Sequence, residues 1–95
     1  MKVRNMHSAN GSDVPNQFII TDDNGRETFQ SYSTTIAREG DDGRITLDPM
    51  WSCSHTTMRY LAAFLNRGGS GFKKETEQGI ADGAYLVADL NESRR

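Results

Sequence analysis

The sequence predicts an α+β domain: a mostly antiparallel sheet (two hairpins plus a C-terminal strand) with one main helix and one short helix packed on a face. Three observations carry this expectation. Two extended, β-rich stretches each run into an Asp/Asn/Gly cluster of hairpin composition, at residues 22–25 and 40–43. One segment, Met58 to Leu65, repeats apolar residues at helical spacing behind a Ser N-cap. Ala84–Leu90 is nearly all apolar, which suits a strand near the middle of a sheet. The expected order is β-β-β-β-α-α-β.

The first sixteen residues hold isolated apolar side chains and no periodic run. They are expected to form a flexible N-terminal arm, ahead of a single domain over residues 17–91 and a frayed tail at 92–95. Gln17–Thr21 reads as the first strand. Asn24-Gly25 follows, and Asn-Gly is a strong hairpin signal because both residues tolerate positive φ. With those two as the loop, Ile20 lies opposite Phe29 and Phe18 opposite Ser31, so Phe18, Ile20 and Phe29 share a face. Thr28–Arg38 is extended and rich in Thr, Tyr and Ile. A bend or bulge near Ser31 would turn both Phe29 and Tyr32 inward. Gly40-Asp41-Asp42-Gly43 makes the second turn, and Arg44–Asp48 returns with Ile45 and Leu47 on the face of Ile36. Pro49 ends the ladder.

Ser54 is the expected N-cap of the main helix, with Cys53 and Met58 placed to form a hydrophobic staple. Met58, Leu61, Phe64 and Leu65 fall on one stripe, with Ala62 at its margin. Thr56, Ala63 and Arg67 point the other way, flanked by Arg59 and Tyr60. Asn66 and Gly68 supply the stop. Gly68-Gly69-Ser70-Gly71 is a connector. Lys73–Ala81 forms a second, short helix, weakened by Gly79 and closed by Gly83. Its basic start and acidic middle oppose the helix dipole.

Of 95 residues, 35% are hydrophobic and 25% charged, the balance of a soluble globular domain and not of a disordered chain. The lone cysteine, Cys53, excludes an intrachain disulfide. No apolar run has signal-peptide or membrane-spanning length, so a cytoplasmic protein without a membrane partner is expected. Charge is segregated. Between residues 51 and 74 lie four basic residues (Arg59, Arg67, Lys73, Lys74) and no acidic one. The remaining seven Lys/Arg face all thirteen Asp/Glu, a net charge of −6. Such polarity points to a contact surface more than to a pocket for chemistry.

The chemistry-bearing residues each have a simpler reading. Cys53 and His55 could converge as a nucleophile pair or metal ligands. Zinc needs four ligands, however, and the only other histidine is His7 in the arm. A thiol–imidazole pair also needs a third group to orient the base. The Gly-rich run before Phe72-Lys73-Lys74 lacks phosphate-loop spacing and follows no strand. Asp22-Asp23 and Asp41-Asp42 sit in turns, where Asp bonds local backbone N–H groups. Trp51 either caps the core or serves an interface, and Tyr32 and Phe72 are open in the same way.

Taken as a set, these residues resemble a known family. Phe29-x-Ser31-Tyr32-x-Thr34-x-Ile36-Ala37, then Ile45-x-Leu47-Asp48, is followed by Trp51-x-x-Ser54-x-Thr56-Thr57-x-x-Tyr60-Leu61-x-x-Phe64-Leu65 and Lys73-Lys74-Glu75-x-Glu77-x-x-Ile80. The pattern is similar to a family of small proteins of phages, plasmids and other bacterial mobile elements, and covers about residues 17–91. Members tend to carry an aromatic residue where Cys53 stands here. The resemblance implies no activity and no catalytic residue. It does imply a class of protein that acts by binding a host machine, as inhibitors of CRISPR effectors and restriction enzymes do.

The sequence therefore leads to a non-enzymatic protein that binds a host protein or ribonucleoprotein complex stoichiometrically, as an inhibitor of a bacterial defence system would. The alternative is a nucleic-acid-binding accessory or regulatory protein of a mobile element. No cofactor or metal is expected. The expected contact residues are Trp51, Arg59, Tyr60, Arg67 and Lys73, with acidic turns around Asp23 and Asp42 as a second patch.

Overall fold

Hydrogen-bonded hairpins account for most of the fold. A computed structural model describes residues 1–8, 10–66 and 71–91. Among these residues the chain forms β1 (Lys2–His7), β2 (Asp13–Thr21), β3 (Glu27–Ser31), β4 (Thr34–Glu39), β5 (Ile45–Leu47), α1 (His55–Phe64), α2 (Phe72–Ala81) and β6 (Tyr85–Val87). All six strands make one sheet in chain order; β1 to β5 are an antiparallel meander and β6 runs parallel to β5. A parallel neighbour needs a crossover, and α1 and α2 supply it. The fold is α+β with a mostly antiparallel sheet, as the sequence predicts.

Three of the four hairpin loops close in the same way. Ser8 N donates to Ser12 O, Asp22 N to Arg26 O and Gly40 N to Arg44 O. Gly11, Gly25 and Gly43 bond back to Ser8, Asp22 and Gly40, at φ of 86°, 83° and 80°. Each of these glycines takes the left-handed conformation that closes the loop, which glycine adopts without strain. The aspartates reinforce it: Asp22 Oδ1 accepts from the Asn24 and Arg26 amides, and Asp42 Oδ1 from the Arg44 amide.

Several expectations need correcting. Because the first loop is Asp23-Asn24-Gly25 and not Asn24-Gly25 alone, the register moves by one residue. Ile19, not Ile20, lies opposite Phe29, and Phe18 faces Gln30. Gln17, Ile19, Phe29 and Ser31 are buried on the core side, whereas Phe18 and Ile20 are half-buried on the reverse. The stretch 28–38 is not one extended run, for it turns at Tyr32-Ser33. Tyr32 takes a φ of 55° and is 60% exposed, so it does not point inward. The bulge lies on β4 at Ile36, opposite Phe29/Gln30, and not at Ser31. It lets consecutive residues Ile36 and Ala37 both be buried.

Residues 1–16, expected as an arm, contribute all of β1 and the start of β2. β1 is held by main-chain pairing to β2, and its side chains are mostly exposed, so it leaves no apolar pattern to read. At the other end, β6 is a three-residue edge strand and not a central one; Leu86 and Val87 are 42% and 45% exposed. Asn91, the last residue of the expected domain, is buried. Its amide donates to Thr35 O at 2.8 Å and accepts from Thr35 N at 2.7 Å, an imitation of a strand pair. The tail at 92–95 and the connector residues 67–70 lie outside the described residues.

The core sits between the sheet and α1, on Phe29, Ile36, Leu47 and Leu61, all essentially without exposure. Burying Leu61 alone is worth roughly 1.5–3 kcal/mol. The Phe64 ring stacks on Phe29 at 5.9 Å between centroids, which orients α1 over β3. Phe72 is a core residue at the start of α2. Gly79 of α2 lies against the Tyr85 ring, where a Cβ would come within 2.8 Å of ring carbons. Asp48, fully buried after β5, receives N–H groups from Met50, Leu90 and Asn91. Those three donors take the place of water around the carboxylate. No helix among the described residues is long and apolar enough to cross a membrane.

Candidate functional site

The first turn of α1 is fixed from below. Ser54 is the N-cap, its Oγ accepting from Thr57 N at 3.0 Å. Buried Thr57 in turn places its hydroxyl 3.3 Å from that of Ser31 on β3. With Leu61 and Ala62 also buried, the rotation of the helix is set. Thr56, Arg59 and Ala63 are left exposed on the outer flank, and Tyr60 is half-buried at its margin. Asn66, at a φ of 59°, ends the turn that follows the helix.

Arg59 and Tyr60 form a unit. The guanidinium carbon lies 5.9 Å from the Tyr60 ring centroid, a cation–π distance, and Arg59 makes no ion pair with a described residue. Alongside them runs a cleft of about 270 Å³, lined by His7 and Ser8 from the end of β1 and by Arg59, Tyr60 and Ala63 from α1. His7 Nε2 is 3.0 Å from Asp13 Oδ1, which ties the end of β1 to the start of β2. Ser8 is anchored by its amide bond to Ser12 O at 2.8 Å, and its hydroxyl donates to Asn10 Oδ1.

His7 and Ser8 are the site residues that the sequence reading missed. One signal could have found them: Asn10-Gly11 is the same hairpin dipeptide that marks residues 24–25. It predicts a strand before it and hence a neighbour for the helix.

The other expected contact residues are dispersed. Trp51 is only 6% exposed and belongs to the core, a correction to its place among the contacts: the turn after Pro49 swings its ring inward. Lys73 is exposed on α2 and does not line the cleft. Arg67 lies outside the described residues. Asp23 and Asp42 are exposed on the β2–β3 and β4–β5 turns. These two turns share one end of the sheet and are tied together by Arg26 Nε and Asp41 Oδ1 at 3.0 Å. The expected acidic patch is thus one surface, partly neutralised by Arg26 and Arg44.

Cys53 and His55 are both exposed. The Cys53 sulfur lies 3.9 Å from the Thr57 hydroxyl, a weak contact to a helix-start residue and not to a base. Among the described residues no group of three or more His, Cys, Asp or Glu is placed to hold a metal ion.

Residues 1–83 match a family of unknown function (DUF8033), and the chain belongs to that family. The match begins at residue 1, so it takes in β1 and both walls of the cleft, and it ends before β6. No curated protein and no solved structure matches the chain.

Proposed function

We propose that this protein acts without catalysis, by stoichiometric binding to a macromolecule of a bacterial host, with the outer flank of α1 as the contact surface. The observation that carries the reading is the state of that flank. Thr56, Arg59 and Ala63 are exposed among the described residues, with Arg59 held over an aromatic ring and free of any described carboxylate. Arginine and tyrosine are among the residue types in which interface energy concentrates. A helix locked from below by Ser54, Thr57 and Leu61 presents that pair with little conformational entropy left to lose.

The finer reading is a mobile-element protein that inhibits a host defence complex, for which a CRISPR effector is the leading partner. It rests on the family resemblance and on the charge segregation of the chain, which has no acidic residue between 51 and 74. The test is capture from host lysate with tagged protein, joined to a phage-survival assay. A defence protein recovered at fixed ratio, with altered survival, is the expected outcome. Recovery of none, with survival unchanged, contradicts it.

A second reading, a nucleic-acid-binding accessory protein, draws on Arg59, Lys73 and Lys74, which are exposed and make no ion pair with a described residue. It requires salt-dependent binding, with each lost phosphate contact lowering the slope of log K against log salt by roughly 0.7–0.9. Absence of any retardation of DNA or RNA at low salt removes it.

A further inference from the structure

We propose that the cleft between β1 and α1 receives one acidic side chain, an aspartate or glutamate carboxylate, from the macromolecule that the protein binds. The inference rests on the binding-protein reading above and names the chemistry of its central contact. Arg59 offers a planar fork of donors that matches a carboxylate, and the Tyr60 ring holds the guanidinium at 5.9 Å. Ala63 and Tyr60 also line the cleft and offer carbon surface to the methylene stem of the incoming residue.

Size and charge select a side chain over a longer polyanion. The cleft volume of about 270 Å³ is below the range typical of small-molecule pockets, and holds one side chain more readily than a run of nucleotides. Among the described lining residues Arg59 is the one arginine or lysine, and it has no described carboxylate partner, whereas His7 Nε2 lies 3.0 Å from Asp13 Oδ1. A phosphate backbone continuing past His7 would meet the Asp13 carboxylate, which is 76% exposed. Nucleic-acid binding draws on several cations in succession, and the described residues that line the cleft include one arginine and no lysine. A single carboxylate matches that charge.

The test uses the full chain, ¹⁵N-labelled and followed by amide shifts. Three probes are titrated: a blocked alanine-rich peptide with one glutamate, its glutamine counterpart, and a short oligothymidylate. The glutamate peptide is expected to shift the amides of Ser8, Arg59, Tyr60 and Ala63 saturably. The glutamine counterpart is expected to bind about tenfold more weakly, the loss of roughly one charge-assisted hydrogen bond. Arg59→Gln should abolish the glutamate response, while Arg38→Gln, a change at an exposed arginine of β4, should leave it intact. Equal responses to the two peptides, a stronger response to the oligonucleotide, or no response at these amides each overturn the proposal. The broader reading fails separately, on the absence of a complex from host lysate.

Discussion

Asp48→Asn removes a charge and one acceptor while keeping the shape of the side chain. The carboxylate accepts from Met50 N at 3.0 Å, Leu90 N at 2.9 Å and Asn91 Nδ2 at 2.9 Å, and the residue is fully buried. An amide has one oxygen to offer. In its better orientation that oxygen keeps Leu90 and Asn91, and an NH₂ is left facing the Met50 N–H. An unmet buried donor costs about 1–3 kcal/mol, and losing the charge weakens the two surviving bonds. The expected total is about 2–4 kcal/mol, a fall in Tm of roughly 8–32 °C for a domain of this size. Thermal unfolding by circular dichroism reads it, with Asp23→Asn as an exposed control within about 0.5 kcal/mol of wild type. If Asp48→Asn melts together with wild type, the reasoning is wrong: the bonds that Asp48 accepts do not fasten the C-terminal segment to the sheet.

Other expectations are independent of that network. Gly79→Ala should destabilise by about 1–3 kcal/mol despite the better helix propensity of alanine, because its Cβ meets Tyr85 ring carbons at 2.8 Å. Urea unfolding checks this, and a gain in stability would show that the ring moves aside freely. Ser54→Ala should cost about 1 kcal/mol through the lost cap to Thr57 N, measured in the same way. Tyr32→Asn should raise stability by up to about 1 kcal/mol, since asparagine tolerates the left-handed φ of 55° far better than tyrosine. A lower Tm for that variant would mean that the exposed ring makes a compensating contact.

What could be read from the chain follows from where its signals are local. The N-cap at Ser54, the stop at Asn66 and the glycine turns at residues 25 and 43 are short-range chemistry, and each stands where composition puts it. The register of β2 against β3 depended on loop length, and one residue in the loop exchanged Ile20 for Ile19 in the core. The turn at Tyr32-Ser33 has no glycine, asparagine or proline to mark it, so strands β3 and β4 read as one. β1 has few buried side chains and is held by backbone pairing, which apolar periodicity does not report. The half of the cleft contributed by α1 was therefore visible as Arg59 and Tyr60, and the half contributed by β1 was not. Trp51 was ambiguous because a large aromatic before a helix serves a core or an interface equally well, and packing alone decides it.

The central claim is that the uncovered side of α1 is where the protein meets its partner, and charge reversal at Arg59 tests it most directly. Arg59→Glu and wild-type protein would be compared for the amount of partner retained per mole of bait, after their melting curves are shown to coincide. Loss of the partner in the variant, with folding unaffected, is the expected result. Retention of the same partner at the same ratio would contradict the account.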